Sequence, residues 1–286
     1  MGDVIGIGRR GQSGYFSLRE LPQHPPIEGK STGWRDLDQI FKLYPGQFVV
    51  VTGLAGSGKS TFLLNMLMNM AREQGTRSFL YVPENEQYLW EKMRKIWPGD
   101  DAGFEHYAEF QCFVQSTSPE HYDDEPKTLQ WVLTQATIAI EQDGVDVVLL
   151  DPWNELERAK PKDQLMTDYI GQCLMWLKQF CRYHGVTVIM VAHPTKAGVE
   201  RGKAPTLADI EGSMNWYNKC DNGLILVRES NQNSTKVISA KVREIGAGRL
   251  GECWFYVDPN TGIFTPQYGG GNEERNTTGS HYGDHR

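Results

Sequence analysis

The stretch "VVVTGLAGSGKSTF", Val49 to Phe62, decides the architecture. Three valines read as part of a buried strand. The chain then breaks into small residues before a lysine and two hydroxyls. Gly53 to Ser60 fits G-x-x-x-x-G-K-[ST] in full, between a strand pattern and a helix pattern. Glycines there let backbone N–H groups turn toward phosphates, and the following helix adds its positive end. The nucleotide-contacting candidates are therefore Gly53, Ala55, Gly56, Ser57, Gly58, Lys59, Ser60 and Thr61. Lys59 is expected at the β- and γ-phosphates of ATP, and Ser60 on Mg²⁺.

Outward from the loop, apolar runs read as short strands at Phe48–Thr52, Ser78–Val82, Val145–Leu150, Val186–Ala192 and Gly223–Val227. Continuous runs of this kind suit a parallel sheet covered on both faces. The clearest helix pattern is Leu165–His184. Met166, Ile170, Cys173, Leu174, Leu177 and Cys181 fall on one face, Met175 and Trp176 widen it, and Gly185 ends it. Near the end, "KVISAKV" and "CWFYVD" alternate as antiparallel strands do. The expected fold class is α/β: a doubly wound, mostly parallel sheet with a C-terminal antiparallel extension. One domain is expected over residues 31–266, after an arm at 1–30 and before a disordered tail at 267–286. Within the arm, only "FSLREL" (Phe16–Leu21) has the makings of a short helix.

Composition narrows the function classes. The 286 residues carry a net charge of −7, so any nucleic-acid site must be a local basic patch. The five cysteines contain no C-x-x-C and read as free, buried thiols. An 18-residue apolar run and a signal-peptide core are both missing. The expected compartment is therefore the cytoplasm, with no membrane partner.

Mg²⁺ calls for a carboxylate at a strand end, and "VDVVLLDP" supplies Asp151, with Asp146 read as a turn residue. Many P-loop ATPases place a catalytic Glu directly after that Asp, where this chain has Pro152. Glu84 in "FLYVPENE" is the candidate base, reaching the γ-phosphate from the neighbouring strand. The plainer alternative has Glu84 and Glu86 capping the helix of residues 87–96. His193, after the strand "VTVIMVA", is a candidate phosphate sensor on a strand beside that of Asp151. "NKCD" (Asn218–Asp221) imitates the N-K-x-D of GTPases. It precedes a strand where theirs follows one, and reads as a helix end and turn.

Taken in order, "STGWRDLDQIF", the phosphate loop, "PEN", "LLDPWNEL", "VAHPTK", "DIEGSMNWYNKCDNGLIL" and "SAKVREIGAGRLG" resemble the RecA-like motors of the DnaB-type hexameric replicative helicases, phage primase–helicases and Twinkle among them. The resemblance covers about Ser31 to Pro266. It implies a RecA-like P-loop NTPase working as a homo-oligomeric ring, hexamer or heptamer, with ATP between subunits. Arg243 is then an arginine finger in the neighbour's site, with Lys241 beside it. Arg228 and Tyr256 fall where relatives stack the adenine. The loop after His193, with Lys196, Arg201 and Lys203, corresponds to the family's channel loops that hold single-stranded DNA. A plain surface loop is the rival reading there. The implied activity is an ATP-dependent DNA helicase or translocase in replication. A RecA/RadA-like recombination or loading ATPase and a KaiC-like signalling ATPase are the alternatives. Residues 1–30 are too short for the primase or collar regions of that family.

Overall fold

The computed structural model describes residues 17–20, 26–117, 125–195, 204–211, 214–229 and 233–267. Nine strands form one sheet: β1 (Phe48–Gly53), β2 (Ser78–Tyr81), β3 (Cys112–Val114), β4 (Val147–Leu150), β5 (Thr187–Val191), β6 (Asn222–Arg228), β7 (Ser234–Val242), β8 (Gly251–Val257) and β9 (Phe264–Pro266). Their order across the sheet is β3-β2-β4-β5-β1-β6-β7-β8-β9. The strands from β3 to β6 are parallel to their neighbours, and β6 through β9 are antiparallel. The expected fold class is therefore borne out. Strands β3 and β9, at the two edges, were not read from the sequence. Each has three residues, too few to show a period.

The valine run is apolar throughout because both faces are covered. Val49 and Val51 point into one core with helices α2 (Lys59–Gln74), α3 (Glu86–Ile96) and α4 (Asp101–Phe110). Phe48 and Val50 point into the other, with α5 (Leu129–Asp143), α6 (Met166–His184) and the short α7 (Met214–Lys219). Helix α6 buries Ile170, Cys173, Leu174, Leu177 and Cys181 and stops at Gly185, as its stripe predicts. Met175 is the exception. It is 43% exposed, so the stripe is narrower than expected on that side. All five cysteines are free and buried.

The segment "STGWRDLD" works as a clamp on α2. Asp38, in the one-turn helix α1 (Arg35–Asp38), accepts hydrogen bonds from the Thr32 N–H and hydroxyl, both at 2.7 Å, and from the Ser31 hydroxyl at 2.5 Å. This turn delivers Trp34 onto Phe62, ring centroids 5.2 Å apart. Phe255 and Phe264 complete the aromatic cluster. Residues 17–20 form an exposed turn held by Ser17 and Glu20, not the short helix expected there. Phe16, Leu21 and the tail from residue 268 lie outside the described residues.

Candidate active site

Four strand ends line up along one edge of the sheet. In the order β2, β4, β5, β1, they lead to Glu84, Asp151, His193 and the glycine-rich loop. The pairings Tyr81 with Leu150, Leu150 with Met190, and Val51 with Val191 bring those ends to one level. This is the carboxyl edge of the parallel strands, where doubly wound sheets open a binding crevice. His193 does follow the strand beside that of Asp151. Glu84 follows the strand beside that of Asp151, as expected. Its strand β2 neighbours β4, and both β4 and β5 separate it from β1.

Glycine is required at the loop's entry. Gly53 has φ +152, and a Cβ there would sit 2.4 Å from the Leu226 carbonyl and 2.8 Å from Ser57 Oγ. Gly58, at φ +89, is the N-cap of α2 in a left-handed conformation. Lys59 follows it and is 5% exposed. Its ammonium donates to the carbonyls of Gly53 (2.9 Å) and Leu54 (3.0 Å). An ammonium carries three N–H bonds, and among the described residues the third meets no acceptor. Ser57 Oγ is buried with no hydrogen-bond partner among the described residues. A buried hydroxyl left unpaired costs about 1–3 kcal/mol. The spare N–H, the orphaned hydroxyl and the helix N-terminus fit the loop to a polyphosphate anion.

Asp151 is 6% exposed at the end of β4, and its N–H donates to the Tyr81 carbonyl at 2.9 Å. Burial raises its pKa. A hydrogen bond to Ser60 and the Lys59 charge oppose that rise. For Lys59 burial lowers the pKa, while Asp151 and then Glu84 work to restore it. Ser60 and Asp151 thus pair a hydroxyl with a carboxylate beside a phosphate cradle. Two hard oxygen donors of this kind fit Mg²⁺, which keeps several waters and takes few protein ligands. Asp146 plays no part here. It accepts from Lys30 Nζ and from the Arg77 N–H, both at 3.0 Å, away from the site.

Glu84 lies exposed on the 3-10 turn Pro83–Asn85, within electrostatic range of Lys59 and Asp151. Glu86 is committed elsewhere, accepting from the Thr117 N–H at 2.5 Å and from its hydroxyl. The Thr52 hydroxyl donates to the Ala192 carbonyl at 2.7 Å, tying the end of β1 to β5 and placing His193 by the loop. Burial and then the Lys59 charge lower the His193 pKa, which favours the neutral imidazole.

Lys92 was missed by the sequence reading. It stands on α3, half-buried, with its pKa lowered by burial and supported by the Asp151 charge. A lysine within an amphipathic helix gives no signal that it faces a site rather than solvent.

Arg228 and Tyr256 do not flank a common position. The registers Arg228–Thr235–Phe255 and Ser234–Tyr256 place them on opposite faces of the sheet. Only Arg228, at the end of β6 beside Gly53's strand, shares the face of α2. Tyr256 is 41% exposed on the other. Lys241 and Arg243 lie at the far edge. Asn222 pairs with Val242 on one side and Val49 on the other, whereas Gly53 pairs with Leu226. Four residues of strand, about 13 Å, separate that level from the loop. Lys196, Arg201 and Lys203 lie outside the described residues.

Comparison with known proteins matches the family described as an AAA domain over residues 35–199, more than half of the chain. The chain is a P-loop ATPase of the AAA domain family. Within and around that AAA domain, the Twinkle homolog protein, chloroplastic/mitochondrial, of Arabidopsis thaliana is 32% identical over 259 residues. The match takes in 83% of this chain and 36% of that protein. The DNA repair protein RadA of Escherichia coli is 25% identical over 189 residues, 64% of this chain and 34% of RadA. The chain therefore spans about a third of the length of these curated relatives. Among solved structures, an isolated ATPase domain superposes with a TM-score of 0.66 at 20% identity, covering 85% of this chain and 93% of that one. A DnaB-like replicative helicase gives the same TM-score and identity over 84% of this chain and 62% of its own. These structural likenesses bear out the expected fold class. The Arabidopsis relative is named for two organelles, which lends no support to the cytoplasmic expectation. Among the described residues no helix is long and apolar enough to cross a membrane.

Proposed function

We propose that the chain is the motor of a ring-forming, ATP-dependent DNA helicase or translocase acting on single-stranded DNA in replication. One observation carries the assembly part of this reading. Arg243 sits about 13 Å or more down the sheet from its own phosphate loop, so it has no route to its own nucleotide. A site that needs a fixed cation on the γ-phosphate is then completed by a second copy. The likeness to a DnaB-like replicative helicase supports replication as the setting.

In this reading Lys59 binds the β- and γ-phosphates of ATP, and Ser60 and Asp151 hold Mg²⁺. The ion, when bound, supplies charge stabilisation of the phosphate oxygens. Glu84 orients the attacking water and accepts its proton. His193, between the loop and Asp151, reports phosphate occupancy to the segment that follows it. Arg228 borders the base. Lys196, Arg201 and Lys203 contact the DNA backbone without regard to sequence.

The test is the ATPase rate with and without single-stranded DNA, run across protein concentration with native mass alongside. The reading requires DNA stimulation and a per-subunit rate that rises as rings form. A concentration-independent monomeric rate, indifferent to DNA, refutes it. The match to RadA favours a second reading, a recombination or loading ATPase that binds DNA without unwinding. Unwinding of a forked duplex separates the two.

A further inference from the structure

The contacts of Lys241 and Arg243 lead to the last residue of the N-K-x-D lookalike, which the sequence reads only as a turn. Asp221 ends the "NKCD" turn just before β6, and its side chain is 5% exposed. Its Oδ2 accepts the Phe48 N–H at 3.0 Å. Its Oδ1 accepts from Lys178 Nζ of α6 at 2.6 Å and stands 2.8 Å from Arg243 Nε. Arg243 Nη2 donates to the carbonyls of Asn218 (3.1 Å) and Cys220 (3.2 Å). Lys241 Nζ donates to the Tyr217 carbonyl and, at 3.3 Å, to that of Asn218, over the Tyr217 ring. Both cations thus rest on the closing turn of α7, where helical carbonyls lack intrahelical partners.

The guanidinium is held along two of its nitrogens, and among the described residues Nη1 has no partner. A planar guanidinium fixed along one edge presents the rest in a set direction, which is what recognition of a phosphoryl group demands. A surface arginine without such an anchor would spend most of its time in other rotamers. Lys178 does not compete for this role, because its ammonium sits on the same carboxylate from the α6 side.

We propose that Asp221 is a positioning residue for the trans-acting Arg243: its carboxylate fixes the guanidinium so that Nη1 faces the neighbouring subunit's γ-phosphate. The inference rests on the finger reading above and adds the group that aims the finger.

The experiment uses mixed assemblies of full-length chains. Lys59→Ala and Arg243→Ala chains together restore activity at interfaces that pair an intact loop with an intact finger. Asp221→Asn, near-isosteric and still an acceptor for the Phe48 N–H, is then placed in one partner at a time. On the finger donor, Lys59→Ala/Asp221→Asn mixed with Arg243→Ala, recovered activity should fall by roughly tenfold or more. On the loop donor, Arg243→Ala/Asp221→Asn mixed with Lys59→Ala, recovery should match the parent mixture, which also shows that the substituted chain folds and assembles. Asp221→Glu, which shifts the carboxylate by one methylene, should give the same asymmetry if the amide variant does not fold. Equal effects in both placements, or none in either, overturn the proposal while leaving the finger standing. A wild-type rate for Arg243→Ala alone removes the finger and this inference together.

Discussion

At the scale of single residues, burial and charge decide the roles. Of the two carboxylates in "PENE", Glu86 already serves Thr117, while Glu84 is free to face solvent near Lys59 and Asp151. Glu84→Gln is expected to bind nucleotide normally and lose hydrolysis by about 10²-fold or more, because an amide accepts no proton. Glu86→Gln should hydrolyse at close to the wild-type rate. Binding of a fluorescent nucleotide and phosphate release measure both, and the reverse pattern moves the base by two residues. His193 has its pKa held below 6.5, so between the lowered value and 6.5 the unfolded chain binds more protons than the folded one. Its contribution to stability is complete above pH 6.5 and is lost as pH falls through the folded pKa. The drop in urea midpoint from pH 7.5 to 5.5 should therefore be smaller in His193→Gln than in wild type. An identical drop denies the imidazole this environment. The placement of the loop pattern, Asp151 and Glu84 along the carboxyl edge was legible in the sequence, since each follows an apolar strand run. Lys92 and Asp221 were not, because what makes them matter is a neighbour distant in the chain.

At the scale of elements, the helix behind the phosphate loop is clipped to the C-terminal hairpin. Asn65 on α2 donates to the Gly262 carbonyl at 3.1 Å and accepts the Phe264 N–H at 3.1 Å. A Cβ at Gly58 would meet the Phe264 ring at 3.3 Å, so β9 packs directly behind the loop. Asn65→Ala leaves the buried Phe264 N–H and the half-buried Gly262 carbonyl unpaired and should cost about 1–3 kcal/mol. A lower denaturant midpoint with an unchanged slope is the expected signature. An unchanged midpoint makes the clip incidental. In the sequence the antiparallel alternation ends with "CWFYVD". Phe264 reveals itself only by packing against Phe62, far earlier in the chain.

At the scale of the whole molecule, sheet order separates two chemistries. The phosphate-loop, Asp151 and His193 candidates gather at the carboxyl edge of β1, β4 and β5, and Lys241 and Arg243, the proposed finger pair, are held at the opposite edge of β6 and β7. In a ring this polarity lets one subunit's far edge serve its neighbour's loop. DNA contact is proposed for the segment after His193. Replacing Lys196, Arg201 and Lys203 together by alanine should weaken single-stranded DNA binding and reduce its salt slope by about 2, at roughly 0.7 per lost phosphate contact. Titrations at several salt concentrations read that slope, and an unchanged value sends the DNA site elsewhere.

Local spacing alone reveals the phosphate loop, the five central parallel strands, the buried stripe of α6 and the free thiols. Each depends on local spacing: period 2 or 3.6, a continuous apolar run, or glycine where a backbone must turn. Tertiary structure alone decided that β4 and β5 stand between Glu84 and the loop. It also set Arg228 and Tyr256 on opposite faces, and seated Arg243 on Asp221. Strand order, pleat register and the burial of a carboxylate among distant cations are non-local. They follow from which apolar faces pack together, and no window of sequence contains both partners.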